Sequence, residues 1–212
     1  MDKKKHWEDV YANKTPQEVS WTQEIPKTSL RLIQEVNLVK DAAIIDIGGG
    51  DSTLIDYLIK EGYTDLTVLD ISANALERAK IRLGDKAKLV KWIESDINTF
   101  IPTKQYTIWH DRAVFHFITE TEAIQRYIEL VTKYTTEQFI IGTFSEIGPL
   151  KCSGLNVKNY TIKQLEQLLG DSFKLTTAFN EDHTTPFNTL QNFTFASLKK
   201  IVISEEIHLK KS

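Results

Sequence analysis

A single cysteine, Cys152, stands among 212 residues, so no intrachain disulfide can form and a reducing compartment is the expected setting. Nowhere is there an apolar run of about 18 residues, the length that a membrane-spanning helix needs. The first residues hold Lys, Glu, Asp and His rather than the apolar stretch of a signal sequence, so a cytoplasmic protein with no membrane partner is expected. An excess of one charge is also missing. Against 26 Lys and Arg stand 29 Asp and Glu, and a net charge of −3 provides no global attraction to nucleic acid. Lys3, Lys4, Lys5, Lys210 and Lys211 read as solvated ends. The histidines lack metal-ligand spacing, so no metal is expected, and Trp7, Trp21, Trp92 and Trp109 form no basic, aromatic stripe for single-stranded nucleic acid. With 41% hydrophobic residues, the chain suits one domain with a full core.

Glycine is scarce too, nine in all, yet three are consecutive. The run Ile44-Ile45-Asp46-Ile47-Gly48-Gly49-Gly50-Asp51-Ser52 is an apolar strand that ends beside an acid and opens into a glycine turn. About 20 residues on, Leu66-Thr67-Val68-Leu69-Asp70 is a second apolar strand ending in an acid. Such a turn lets a ligand touch the backbone, and the second acid sits where it can accept hydrogen bonds from both hydroxyls of a ribose. Two families share this layout: dinucleotide-binding Rossmann enzymes and class I S-adenosylmethionine (SAM) methyltransferases. Read from Gly48, the G-x-G-x-x-G pattern has Thr53 where the third glycine should pack helix on strand. Asp46 would repel a pyrophosphate, whereas it suits the cationic methionyl ammonium of SAM. The reading is SAM, with S-adenosylhomocysteine (SAH) as product.

Strand-like and helix-like segments alternate after residue 40, as in a parallel sheet covered by helices on both faces. Strands are expected near 42–47, 66–70, 88–93, 105–110 and 137–144. The helices carry their own punctuation. Asp51 or Ser52 caps one that ends at Gly62, and Ser72 caps one that ends at Gly84. Capping boxes are expected at Thr119 with Glu122, for a helix running to about Tyr134, and at Thr161 with Gln164, for a helix over 162–169. Two extended runs, about 172–180 and 190–198, then read as a hairpin joined by a polar connection at 181–188 that contains His183. A helix begins near Pro26. The division expected is a lid segment with the first helix at 1–40, a SAM-binding core at 41–200 and a tail at 201–212.

This α/β arrangement, a mostly parallel seven-stranded sheet ending in an antiparallel hairpin with an N-terminal helical lid, resembles the class I methyltransferase fold. The resemblance implies that Asp46 and the backbone of Gly48, Gly49 and Gly50 hold the methionyl group. It also implies that Asp70 holds the ribose, Ile71 packs on adenine and Asp96 accepts from the adenine amino group, with Ile97 and His110 completing the pocket. Two short pieces narrow it. Trp7, Tyr11 and Val19-Ser20-Trp21-Thr22-Gln23 are similar to the lid of thiopurine methyltransferases. Too polar for a core element yet aromatic, this segment is expected to close over the methionyl end of SAM, with Trp21 and Gln23 near the methyl. His110-Asp111-Arg112-Ala113 is similar to an element of the same enzymes and of several protein-lysine methyltransferases.

Methyl transfer is an in-line displacement that needs a positioned, unprotonated nucleophile. Asp111, His110 and His116 are candidate bases at the mouth, although His116 also reads as a packed structural histidine. Arg112 is a candidate contact for a carboxylate substrate or the partner of a neighbouring acid. Cys152 reads as an inert small residue and His183 as part of a solvated loop. The expected partner is a small-molecule acceptor, methylated on N, O or S; the alternative is a protein lysine. An NAD-dependent oxidoreductase and an inactive SAM-binding subunit are the remaining readings. The missing third glycine and the lack of a Tyr-x-x-x-Lys weigh against the oxidoreductase.

Overall fold

In a computed structural model that describes residues 2–202, the alternation becomes one seven-stranded sheet. The first element is helix α1 (Lys3–Asn13), followed by α2 (Lys27–Glu35). Then come β1 (Ile44–Ile47), α3 (Leu54–Lys60), β2 (Leu66–Asp70), α4 (Ala73–Leu83) and β3 (Val90–Glu94). Strand β4 (Tyr106–Arg112), helix α5 (Thr121–Tyr134) and strand β5 (Thr135–Phe144) follow. Two short strands, β6 (Lys151–Cys152) and β7 (Leu155–Asn156), pair with each other only. Helix α6 (Ile162–Leu169) precedes the hairpin of β8 (Phe173–Thr184) and β9 (Leu190–Lys200). No helix among the described residues is long and apolar enough to cross a membrane. Apart from Ile201 and Val202, the expected tail lies outside the described residues, as do Lys210 and Lys211.

The strand order is β3-β2-β1-β4-β5-β9-β8, with β1 to β5 parallel and β9 antiparallel to both β5 and β8. Strands β1 and β2 are buried along their whole length, as continuous apolar runs in a sheet covered on both faces should be. One apolar cluster joins α5 and α6 to the sheet and another joins α2, α3 and α4 to its other face. Strand order reverses between β1 and β4, and beyond the carboxyl ends at such a switch point a doubly wound sheet leaves room for a ligand. Register matters there. Asp46 of β1 lies beside His110 of β4, and Ile47 beside Asp111.

Two of the expected caps are formed: the Ser72 side chain accepts from the Ala75 N–H, and Thr161 with Gln164 makes a full capping box. Three expectations are corrected. Helix α3 has Thr53 as its N-cap rather than Asp51 or Ser52, although the Ser52 hydroxyl accepts from the Leu54 N–H at 3.2 Å. The Thr119 hydroxyl turns to the Glu120 carboxylate instead of accepting from a helix N–H, so the Thr119–Glu122 box is not formed. Helix α5 begins at Thr121, with Glu120 as an N-cap that makes no side-chain capping bond. The first half of the polar stretch, 181–184, is instead the far end of β8, because an edge strand tolerates polar side chains on its open face, and 185–188 remain in the connection. His183 thus lies in a strand opposite Gln191, only 8% exposed, and its Nε2–H donates to the Ser20 carbonyl at 2.7 Å.

Candidate active site

The glycine turn leaves β1 in a conformation that other residues resist: φ is +65° at Gly48 and +45° at Gly50. It is also tightly enclosed. A Cβ on Gly48 would stand 2.0 Å from Val114 Cγ2. A Cβ on Gly50 would stand 2.9 Å from both Asp70 Oδ2 and the Tyr11 hydroxyl, so that glycine keeps open the space between the end of β2 and the N-terminal helix.

Around this turn lies a cavity of about 560 Å³, within the span of roughly 300 to 1,000 Å³ that suits small-molecule and cofactor sites. Segments from the ends of β1, β2, β3 and β4 line one side, bringing in Asp46, Gly48, Gly49, Asp70, Ile71, Asp96, Ile97, His110 and Arg112. Gly50 stands just behind, against Asp70 and Tyr11. Trp7, Tyr11, Trp21, Thr22 and Gln23 close the other side. Thus Trp21 and every expected cofactor contact either border the cavity or support its wall.

Asp46 is not a free carboxylate. Its Oδ1 lies 2.7 Å from His110 Nδ1, and His110 Nε2 lies 2.9 Å from Ser29 Oγ on α2. With an ionised Asp46, Nδ1–H donates to it and Nε2 accepts from the serine. The pairing fixes the carboxylate rotamer and leaves Oδ2 turned toward Gly49, where a Cβ would meet it at 2.6 Å. Asp70 is buried, with Oδ1 accepting from the Ser72 N–H at 2.8 Å. Burial pushes its carboxyl up to about 7, a rise that the Ser72 bond opposes and the charges of Asp46, Asp51 and Glu8 reinforce. Asp96 uses Oδ1 to hold the Asn98 backbone and side chain, so its other oxygen is the one available to the cavity.

Of the three candidate bases, His110 borders the cavity with both ring nitrogens engaged by Asp46 and Ser29, and the other two are corrected. Alternate residues of a strand face opposite sides of the sheet, so Asp111 points the same way as Trp109, into the α5 core, while His110 and Arg112 point toward the α2 side. Asp111 is fully buried and accepts from the Val114 and Phe115 N–H groups and from the Tyr127 hydroxyl. Burial raises its carboxyl to about 6 against those three bonds. His116 is fully buried as well, stacked on Phe144 at 4.4 Å, with Nδ1 accepting from the Phe144 N–H at 3.4 Å. Burial, helped by the Arg112 charge, lowers it to about 3, so it is a neutral packing residue. Neither lines the cavity.

The lid is a helix with two kinds of attachment. Trp7 packs edge-on against Trp21 at 5.7 Å and Phe117 at 5.2 Å, and tilts against Tyr11 at 6.4 Å. Glu8 reaches across to the start of α4, where its carboxylate accepts from the Ala73 N–H at 2.7 Å, the Asn74 N–H at 3.1 Å and the Ser72 hydroxyl at 2.9 Å. Partial burial pushes Glu8 up, and these bonds outweigh it, leaving the carboxyl below its ordinary range. It caps a helix 65 residues away from its own. Nothing in the local sequence marks Glu8 or Ser29 for these tasks, since each partner is remote in the chain.

A family model described as a methyltransferase domain matches residues 44–135. The chain is similar to EEF1A lysine methyltransferase 2 of Danio rerio, 23% identical over 166 residues that make up 65% of this chain and 71% of the relative. Among solved structures, the magnesium protoporphyrin IX methyltransferase of Synechocystis with bound SAM superimposes with a TM-score of 0.70 at 13% identity, over 95% of this chain and 98% of that one. A structure concerned with conversion of a disulfide bond into a thioacetal group during echinomycin biosynthesis gives a TM-score of 0.72 at 15% identity, over 93% and 92% of the two chains.

Proposed function

Since this chain is a SAM-dependent methyltransferase of the class I fold, we propose that it methylates a heteroatom of a small molecule held beneath the N-terminal helix. One observation carries the reading: Trp7, Trp21 and Phe117 pack together across the cavity mouth, as an enclosed small acceptor requires and an extended polypeptide does not. The weak likeness to a lysine methyltransferase favours a second reading, a protein lysine as acceptor.

The residues present fit the cofactor. In our reading, Asp46 Oδ2, oriented by His110 and Ser29, accepts from the methionyl ammonium where it faces the glycine turn. Asp70 accepts from the ribose hydroxyls, Ile71 and Ile97 supply apolar contact to adenine, and Asp96 takes its amino group. Bound SAM supplies an electrophilic methyl on a sulfonium. Trp21 and Gln23 border the acceptor end and exclude water from it. With Asp111 and His116 turned into the core, the acceptor atom reaches the cavity with its lone pair already free, as a thiolate or an uncharged nitrogen does.

Thermal unfolding tests the cofactor and SAH release tests the acceptor. SAM and SAH are expected to raise the midpoint while NAD leaves it unchanged. A panel of thiols, amines and phenols, set against an unfolded lysine-bearing protein, is expected to yield SAH only with a small molecule. A shift with NAD alone overturns the cofactor assignment, and turnover on the protein alone overturns the small acceptor. Gly50→Ala is expected to weaken SAM about tenfold, because the added methyl combines a strained backbone with displacement of Asp70 and Tyr11. An unchanged Kd by calorimetry would make the glycine incidental.

A further inference from the structure

Most buried polar atoms in this protein find a partner, and those that do not are informative. Of the buried side-chain nitrogens and oxygens left without a hydrogen bond among the described residues, three belong to residues that line the cavity: Arg112 Nε, Arg112 Nη2 and Thr22 Oγ1. Arg112 and Thr22 are neighbours, for Arg112 Nη1 donates to the carbonyl of Trp21 at 3.0 Å. That bond uses one side of the guanidinium. The other side, the edge formed by Nε and Nη2, is the pair of parallel donors that grips a planar oxyanion.

Among the described residues no carboxylate takes this edge. The charges that act on Arg112 most are those of Glu181 and Asp46; Glu181 is held by the Thr28 hydroxyl and Asp46 by His110. The cation rests instead over the Phe193 ring, 5.0 Å from its centre. Phe193, Cys152 and His183 come from the hairpin and from the segment before α6, on the side of Arg112 away from the glycine turn and β2. An unpartnered pair of donors costs stability unless some bound state satisfies it.

We propose that the Nε and Nη2 edge of Arg112, with the Thr22 hydroxyl, binds a carboxylate on the methyl acceptor, so that the enzyme selects anionic small molecules. The proposal rests on the small-acceptor reading. Burial lowers the guanidinium to about 10, which leaves it a cation throughout the physiological range. Because Nε and Nη2 are sealed from solvent while Nη1 is tied to the Trp21 carbonyl, the acceptor enters as the lid segment lifts and is clasped as it settles. The methionyl carboxylate of the cofactor offers the same chemistry, and the test must separate the two.

Calorimetry on the SAH-saturated protein compares carboxylates with their neutral amides: phenylacetate with phenylacetamide, and hexanoate with hexanamide. Carboxylates are expected to bind about tenfold or more tightly than their amides, a preference that disappears in Arg112→Gln. SAH and 5′-methylthioadenosine, which lacks the amino-acid end, are titrated into both proteins. Their ratio of affinities is expected to be the same in each. Loss of SAH affinity in Arg112→Gln with 5′-methylthioadenosine unaffected would assign the edge to the cofactor and overturn the proposal. Equal binding of acids and amides by the native protein overturns it as well. If Arg112→Gln does not fold, Arg112→Lys, which keeps the charge and loses the fork, is expected to retain less than half of the preference in free energy, and full retention counts against the proposal. Failure of the native protein to bind SAH at all would instead strike the cofactor reading on which everything here depends.

Discussion

Removing residues 1–22 is expected to reduce methyl transfer about a hundredfold or more while the sheet remains folded, since misplacement of groups around a reacting atom by about 1 Å has effects of that size. The truncation deletes Trp7, Tyr11 and Trp21, three of the rings that cover the cavity, and opens the site to water. It removes no strand and leaves both core clusters covered by α2 to α6. Helix α4 loses the Glu8 carboxylate but keeps Ser72 as its own N-cap, so the local cost stays near or below about 1 kcal/mol. Circular dichroism and SAH release can be followed on one preparation. Outright unfolding would make the segment a brace, and normal turnover would make it a bystander; in either case the small enclosed acceptor loses its main support.

Asp70→Ala is expected to weaken SAM at least a hundredfold, because two charge-assisted hydrogen bonds to ribose, each worth roughly 1.5 to 3 kcal/mol, disappear together. The acid also makes binding depend on pH in a direction that can be worked out. Hydroxyls donate to the ionised form, and in the free protein that form prevails only above about pH 7. SAM affinity should therefore fall about tenfold for each pH unit below that point, and Asp70→Asn should flatten the profile. Stability runs the other way. The folded carboxyl is raised to about 7 from an ordinary 3.8, so the folded state binds the extra proton between those values and loses stability as pH climbs through the window. The asparagine variant without ligand should consequently unfold at a higher temperature than the native protein at pH 7 and show less advantage at pH 4. A native Kd in folded Asp70→Ala would take Asp70 out of the site.

Such a residue is legible in a bare sequence because its position is set by its own strand: an apolar run, an acid, then a cap. Asp46 and Gly48 are legible for the same reason. Asp111 misleads because the end of a strand says nothing about which face a side chain takes. The signal was nevertheless present, since Trp109 two residues earlier must be buried and a period of two sends Asp111 after it. His183 misleads because polar residues that look like a loop also suit the open side of an edge strand. For Ser29 and Glu8 no local pattern exists. Their partners lie 81 and 65 residues away, and only the crossing of α2 over β4 and of α1 over α4 brings them together.

Glu8 fastens the covering helix to the start of α4, and the strength of that fastening bears on how readily the site can open. The carboxylate clips the cover onto the helix that begins three residues after Asp70, so lifting the cover means undoing a helix cap and the packing of Trp7 rather than unfolding a strand. A cap of that kind is worth roughly 0.5 to 2 kcal/mol, little more than thermal energy. Water can replace its three bonds as the cover swings away, and they re-form when it returns. Tight enclosure during the chemical step and quick departure afterwards are then compatible, because the fastening is cheap to release and is made to backbone groups that cannot drift out of reach.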